Sequence, residues 1–149
     1  MPRVSNTQTG VAGEYYVAAE LTRRGIFAAI TLRNSEAYDI LALNPLTNKQ
    51  FGIQVKTTWE KRRWALNKKV EDVYSENHFY IFVVLFQNDS RKPEFFIIHS
   101  KELAEIICQE HRNWLATPGK KGQPHNDNDM RNFDDREGDY LDRWDNFLK

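Results

Sequence analysis

Apolar positions recur along the chain with two periods. Over residues 8–24 the run GEYYVAAELTRR has helical spacing, with Thr9 placed to cap it. Set at ~100° per residue, Val11, Tyr15, Ala18, Leu21 and Thr22 fall on one side, and Tyr16, Glu20, Arg23 and Arg24 on the other. Gly25 stands where glycine commonly ends a helix. Three strand-like runs follow. They are IFAAITLR (26–33), AYDILALN (37–44) after a polar bend at Asn34, Ser35 and Glu36, and QFGIQVKTT (50–58) after a turn at Pro45 and Asn48. Residues 59–69 are basic and irregular, with a short strand at Trp64, Ala65 and Leu66, and 70–77 reads as a short helix. FYIFVVLF (79–86) is apolar on both faces, as a strand covered on both sides should be. A turn at Gln87 to Pro93 leads to the strand EFFIIHS (94–100). Ser100 is placed to cap a helix over 101–115, whose face of Leu103, Ile106, Ile107 and Trp114 is apolar but for Glu110. Residues 117–132 are loop by composition, and a last amphipathic segment carries Tyr140, Leu141, Trp144, Phe147 and Leu148. This order predicts an α/β (mixed α+β) fold in one domain over 1–149, a central mixed sheet flanked by helices.

Polar residues interrupt this pattern at three places. Glu14 falls near the centre of the helix's apolar face, between Ala18 and Leu21. There it is either a buried carboxylate in need of a partner or a partly exposed one favoured by the helix dipole. Asp39 breaks an apolar strand and shares a face with Leu41 and Leu43; a turn-closing aspartate at the strand mouth is the other reading. Gln54 and Lys56 share the face of their strand opposite Phe51, Ile53 and Val55, where a solvated face would also put polar residues. Taken together, a hairpin brings Asp39 near Gln54 and Lys56, and the preceding helix can bring Glu14 to the same end. Two carboxylates and an amide oxygen suit a hard cation such as Mg²⁺. The lysine can orient or help deprotonate an attacking water, and the metal can polarise a phosphoryl oxygen.

Composition sharpens the partner question. The formal net charge is zero, yet residues 1–70 hold eleven Lys/Arg against five Asp/Glu, and residues 71–149 hold ten against sixteen, a front half of +6 and a back half of −6. Bulk charge therefore cannot hold nucleic acid, but local charge can. The basic run Lys61, Arg62, Arg63 is flanked by Trp59 and Trp64 and followed by Lys68 and Lys69. Basic side chains neutralise phosphates and tryptophans stack on unpaired bases, while a solvated edge over core tryptophans gives the same pattern. Lys120, Lys121 and Arg131 could add phosphate contacts from the loop.

The stretches GEYYVAAELTRRG, YDILALN and FGIQVKTT, in that order over residues 9–58, resemble the PD-(D/E)xK nuclease superfamily. This restriction-endonuclease-like fold includes archaeal Holliday-junction resolvases and Mrr-type restriction enzymes. The resemblance implies that Asp39 is the metal-binding aspartate, that Gln54 takes the place of the motif's acid, that Lys56 is the catalytic lysine, and that Glu14 is the helix glutamate completing the metal site. It implies Mg²⁺ (or Mn²⁺) dependent hydrolysis of DNA phosphodiesters. The chain departs from the pattern twice. Tyr38 replaces the proline, a local change, and Gln54 replaces an acid, which removes one negative charge and lowers metal affinity. Mrr-like members also carry Gln-x-Lys.

Other chemistry is sparse. Cys108 and His111 lie one helical turn apart, with His125 beyond, but a fourth zinc ligand is missing and Cys108 reads as a core residue. His78 and His99 flank strands and read as structural or exposed. No GxxxxGK[ST] phosphate loop is present. No apolar run approaches the ~20 residues of a membrane span, and the start MPRVSNTQTG lacks a secretory signal, so a cytoplasmic protein is expected. One small domain has little room for target recognition, so a homodimer or a partner subunit is expected, joined through the aromatic C-terminal segment. Two alternatives to a nuclease stand. One is a catalytically silent nuclease-fold protein that binds nucleic acid or a protein partner. The other is an interaction protein whose acidic half docks on a basic partner.

Overall fold

The computed structural model describes residues 3–32 and 37–149. The expected bend at Asn34, Ser35 and Glu36, with Arg33 before it, lies outside the described residues.

Helix α1 (Asn6–Arg23) begins earlier than its apolar pattern suggests. Its cap is Ser5 rather than Thr9. Ser5 Oγ accepts from the Gln8 backbone N–H at 3.1 Å while Gln8 Oε1 accepts from the Ser5 N–H at 3.0 Å, a reciprocal box satisfying two otherwise unpaired donors. The helix ends where glycine predicts. Gly25 has φ +86°, its N–H reaches Thr22 O, and the Ile26 N–H reaches Leu21 O. The buried stripe is Thr9, Gly13, Val17 and Leu21, whereas Tyr15 and Thr22, expected on the apolar side, face solvent.

Strands β1 (Phe27–Ile30), β2 (Ile40–Asn44), β3 (Lys49–Trp59), β5 (His78–Leu85) and β6 (Glu94–His99) form a mixed sheet in the order β1-β2-β3-β5-β6. Among the described residues, only β3 and β5 pair in parallel. A second, two-stranded sheet joins β4 (Arg63–Asn67) to β7 (Met130–Asp134). The short helix expected over 70–77 is instead one 3₁₀ turn at Lys68–Glu71, and β7 forms inside the stretch read as loop. Helix α2 (Ser100–Ala116) is capped by His99, whose Nδ1 accepts from Lys101 N, rather than by Ser100. The expected class is borne out: a mixed five-stranded central sheet with two helices.

The sheet separates two apolar cores. On the α1 side, Val17 and Leu21 meet Ile40, Ile53, Val55, Phe79, Ile81 and Val83. On the other side, Trp64, Leu66 and Phe133 of the small sheet and Leu103 and Ile107 of α2 close over Tyr80, Phe82 and Val84. Every residue of β5 is buried, so its apolarity on both faces is accounted for. Each such side chain stabilises the fold by about 1.5–3 kcal/mol relative to exposure. The C-terminal segment serves both cores: Tyr140 and Leu141 pack on the α2 side, while Trp144 and Phe147 sit in the α1 core within a 3₁₀ turn (Trp144–Phe147). Leu141 bridges Phe96 at the β6 edge, and Asn44 Nδ2 donates to Phe147 O at 2.9 Å. The Trp144 and Phe147 rings are thus interior, while Tyr140 and Leu141 are half-buried and Leu148 is exposed. At the β1–β3 end of the sheet, Phe27, Leu41, Leu43, Tyr38 and Gly52 line an apolar groove of about 520 Å³. Among the described residues, no helix is long and apolar enough to cross a membrane.

Candidate functional site

The site lies where β2 parts from β3. Their pairing runs from Asn44↔Lys49 to Ile40↔Ile53, and Asp39 N donates to Ile53 O at 2.9 Å. Continued by this register, the next partner of Val55 would be Tyr38. Instead the Val55 N–H donates to Asp39 Oδ2 at 2.8 Å. The carboxylate thus replaces a main-chain acceptor, and Asp39 precedes β2 rather than interrupting a strand. This bond fixes one carboxylate oxygen and leaves Oδ1 to another partner. Along β3 beyond Val55, no described strand pairs on the β2 side. The sheet edge is open there.

Alternation along β3 puts Gln54 and Lys56 on the face bearing Gly52, away from α1. Gln54 is half-buried and Lys56 exposed. Gln54 Oε1 accepts from His78 Nε2 at 3.2 Å. Burial, with the nearby His99 charge second, pushes His78 down to about 4, so its ring is neutral at physiological pH. Tyr80, next on that face of β5, is pushed up to about 12 by burial, then by the Asp39 charge and Tyr38.

Glu14 lies on α1, which packs on the opposite face of the sheet. Its neighbour Gly13 packs against Thr57, where a Cβ on Gly13 would come 1.8 Å from Thr57 Oγ1. This contact sets α1 level with the residue after Lys56, and Glu14, next along the helix, is half-buried. Thr57 Oγ1 is itself buried with no hydrogen-bond partner among the described residues. The candidate donors Asp39, Glu14 and Gln54 offer only oxygen: two carboxylates and one amide. That chemistry fits Mg²⁺ or Mn²⁺, which take oxygen ligands and retain waters. Among the described residues no three His, Cys, Asp or Glu are grouped to hold a metal, so an ion here would rest on two acids plus Gln54.

The basic run divides. Lys61, Arg63 and Lys69 are exposed. Lys68, also exposed, pairs with Asp129 at 3.2 Å. Arg62 is half-buried and engaged by Glu94 at 2.6 Å and by Arg136 O, and the Glu94 hydrogen bond raises its pKa. Trp64 is 1% exposed, with Nε1 donating to Val83 O, so it is a core side chain and cannot stack on a base. Trp59 is half-buried, its Nε1 donating to Thr9 Oγ1. Arg131 is buried on Glu71 at 2.6 Å and is not a phosphate contact, whereas Lys120 and Lys121 are exposed. At the far end, His111 bonds Asp127 at 2.8 Å and His125 stacks on Trp114 at 4.1 Å, which accounts for both without zinc. Cys108 is half-buried on α2.

Sequence reasoning missed the partnership of His78 with Gln54 and the packing of Gly13 on Thr57. The first depends on the parallel β3–β5 register, which no local pattern encodes. The second had one signal, a glycine in mid-helix, where only a close approach repays its cost.

No family model matches the chain, and no curated protein matches it. Among solved structures, a bacterial homing endonuclease, I-Ssp6803I, superposes with a TM-score of 0.54 at 10% identity, over 98% of this chain and 93% of that one. Hjc of Archaeoglobus fulgidus, a Holliday junction resolvase, gives a TM-score of 0.39 at 13% identity over 81% and 87%, which adds nothing to the fold assignment. The first likeness establishes a fold shared with a nuclease.

Proposed function

We propose that this chain is a metal-dependent DNA endonuclease that hydrolyses phosphodiester bonds, with Mg²⁺ or Mn²⁺ held by Asp39, Gln54 and Glu14. The observation that carries the reading is the Asp39 carboxylate bonded to Val55 N between Gln54 and Lys56, at an open sheet edge in a fold shared with a homing endonuclease. When bound, the ion supplies a polarised phosphoryl oxygen and a more acidic water. The chain's own groups do the rest. The Val55 bond preorganises Asp39, so no reorientation is needed on binding. Lys56 presents an exposed ammonium to orient the attacking water or balance charge on the phosphoryl oxygens. Lys61, Arg63, Lys68 and Lys69 supply phosphate contacts that weaken with salt. Cutting both strands of a duplex takes two such sites, so the working unit is a homodimer or a complex with a partner subunit.

The test is cleavage of supercoiled and branched DNA with Mg²⁺ or Mn²⁺. Cleavage is expected to fall at least ~100-fold in Asp39→Ala and in Lys56→Ala, with DNA binding by Lys56→Ala weakened far less. Cleavage unchanged in both variants overturns the reading. Gln54 favours one alternative: an amide in the acid's place suits a nuclease-fold protein that binds nucleic acid or a protein without cutting. That protein would show salt-sensitive DNA binding and no cleavage with either metal.

A further inference from the structure

We propose that His78 is a positioning residue that holds the Gln54 amide with its oxygen directed at the cation; this rests on the metal-site reading above. A carboxylate presents oxygen whichever way its head turns. A glutamine does not: one end of the amide is an acceptor and the other a double donor, and only the oxygen ligates a cation. A site that substitutes glutamine for an acid therefore needs something to choose the end.

His78 is built to do so. It opens β5, is 2% exposed, and sits beside Gly52 in the parallel register. Its ring is walled edge-on by Tyr38, with centroids 5.1 Å apart and planes at 76°, and lies tilted at 37° against Tyr80 at 5.0 Å. Tyr38 occupies the space left by Gly52, where a Cβ would meet its ring at 2.4 Å. The imidazole so held places Nε2 3.2 Å from Gln54 Oε1. With the proton on Nε2, the contact accepts only an oxygen, since a turned amide would oppose N–H to N–H. Oε1 keeps its second lone pair for the ion. Tyr38 also precedes Asp39 in the chain, so the group that walls His78 is covalently tied to another metal-site carboxylate.

The experiment measures Mn²⁺ affinity by electron paramagnetic resonance of the free ion, with folding followed by circular dichroism. His78→Phe is expected to weaken binding 10–100-fold, the usual effect of losing a group that orients a ligand. His78→Gln, whose amide nitrogen reaches the ring Nε2 position, is expected to restore most of it. His78→Asn, polar but too short to reach Gln54, is expected to behave as His78→Phe and replaces it where the latter does not fold. The decisive arm is Gln54→Glu. In that background the loss from His78→Phe is expected to shrink below ~3-fold, because either carboxylate oxygen serves. An equal loss in both backgrounds assigns His78 a purely structural role and overturns the inference, as does wild-type affinity in His78→Phe. Asp39→Ala separates the levels. If it leaves Mn²⁺ affinity unchanged, the metal-site reading fails; if it weakens binding while His78→Phe does not, only the His78 inference fails.

Discussion

Replacing Gly13 by alanine tests the contact that sets α1 against β3. The added methyl would lie 1.8 Å from Thr57 Oγ1, 3.0 Å from its Cβ and 3.2 Å from its Cγ2. The clash is chiefly with the Oγ1 and Cγ2 branches of Thr57, and a β-branched side chain has few rotamers in which both could withdraw. The helix must therefore lift from the strand. Two terms oppose one another. Alanine in mid-helix is favoured over glycine by about 1 kcal/mol, and overpacking a tight contact costs about 1–3 kcal/mol. Because the buried stripe of α1 moves with Gly13, the upper part of that range applies, and a net loss of about 1–2 kcal/mol is expected. Urea unfolding followed by tryptophan fluorescence would show a lower midpoint at unchanged slope. Thr57→Ala removes a hydroxyl without a hydrogen-bond partner and should by itself change stability by less than about 1 kcal/mol. Combined with Gly13→Ala, it should recover at least about 1 kcal/mol as a coupling energy. A Gly13→Ala protein as stable as wild type, or a strictly additive double mutant, would refute the close approach.

Two further expectations follow from buried polar groups. Tyr80, pushed up to about 12 from an ordinary 10.0, is uncharged in the folded state where the unfolded chain already ionises. The stability it contributes is complete below pH ~10 and is lost as pH rises through ~12, at most about 2–3 kcal/mol. Urea midpoints at pH 9 and 11.5 should therefore fall more in wild type than in Tyr80→Phe, and equal declines refute the assignment. Arg131→Met leaves the Glu71 carboxylate without its partner and should cost about 3 kcal/mol while sparing DNA affinity. Lys61→Ala with Arg63→Ala should do the reverse, sparing stability and lowering the logarithmic salt slope of DNA binding by about 2.

Much of the frame was legible because it rests on local periodicity. The doubly apolar run at 79–86, the alternation of Phe51, Ile53 and Val55, and the glycine stop at Gly25 each follow from one stretch of chain. The face of α1 was misjudged because a hydrophobic wheel counts Tyr15 as apolar and gives no weight to Gly13, which the buried stripe includes. The cap was present as Ser5 and Gln8 but stands ahead of the apolar run that drew the boundary. Strand β7 was hidden because it buries only Arg131 and Phe133, too few positions to set a period. At the site, Asp39, Gln54 and Lys56 were legible as polar exceptions on one hairpin. The fates of Arg62, Trp64 and Arg131 were not, since each is decided by a partner far along the chain: Glu94, Val83 and Glu71.

Strand β5 gives alternate side chains to opposite cores, Phe79, Ile81 and Val83 to one and Tyr80, Phe82 and Val84 to the other. Neither core can come apart without exposing the shared strand, so the two behave as one cooperative unit. Amide protons of β3 and β5 should then exchange with solvent only through global opening, and so should those of β4 and β7, whose Trp64 and Phe133 are buried in the same core. The molecule thus keeps its hairpin scaffold and the small sheet beside it rigid together on the timescale of exchange.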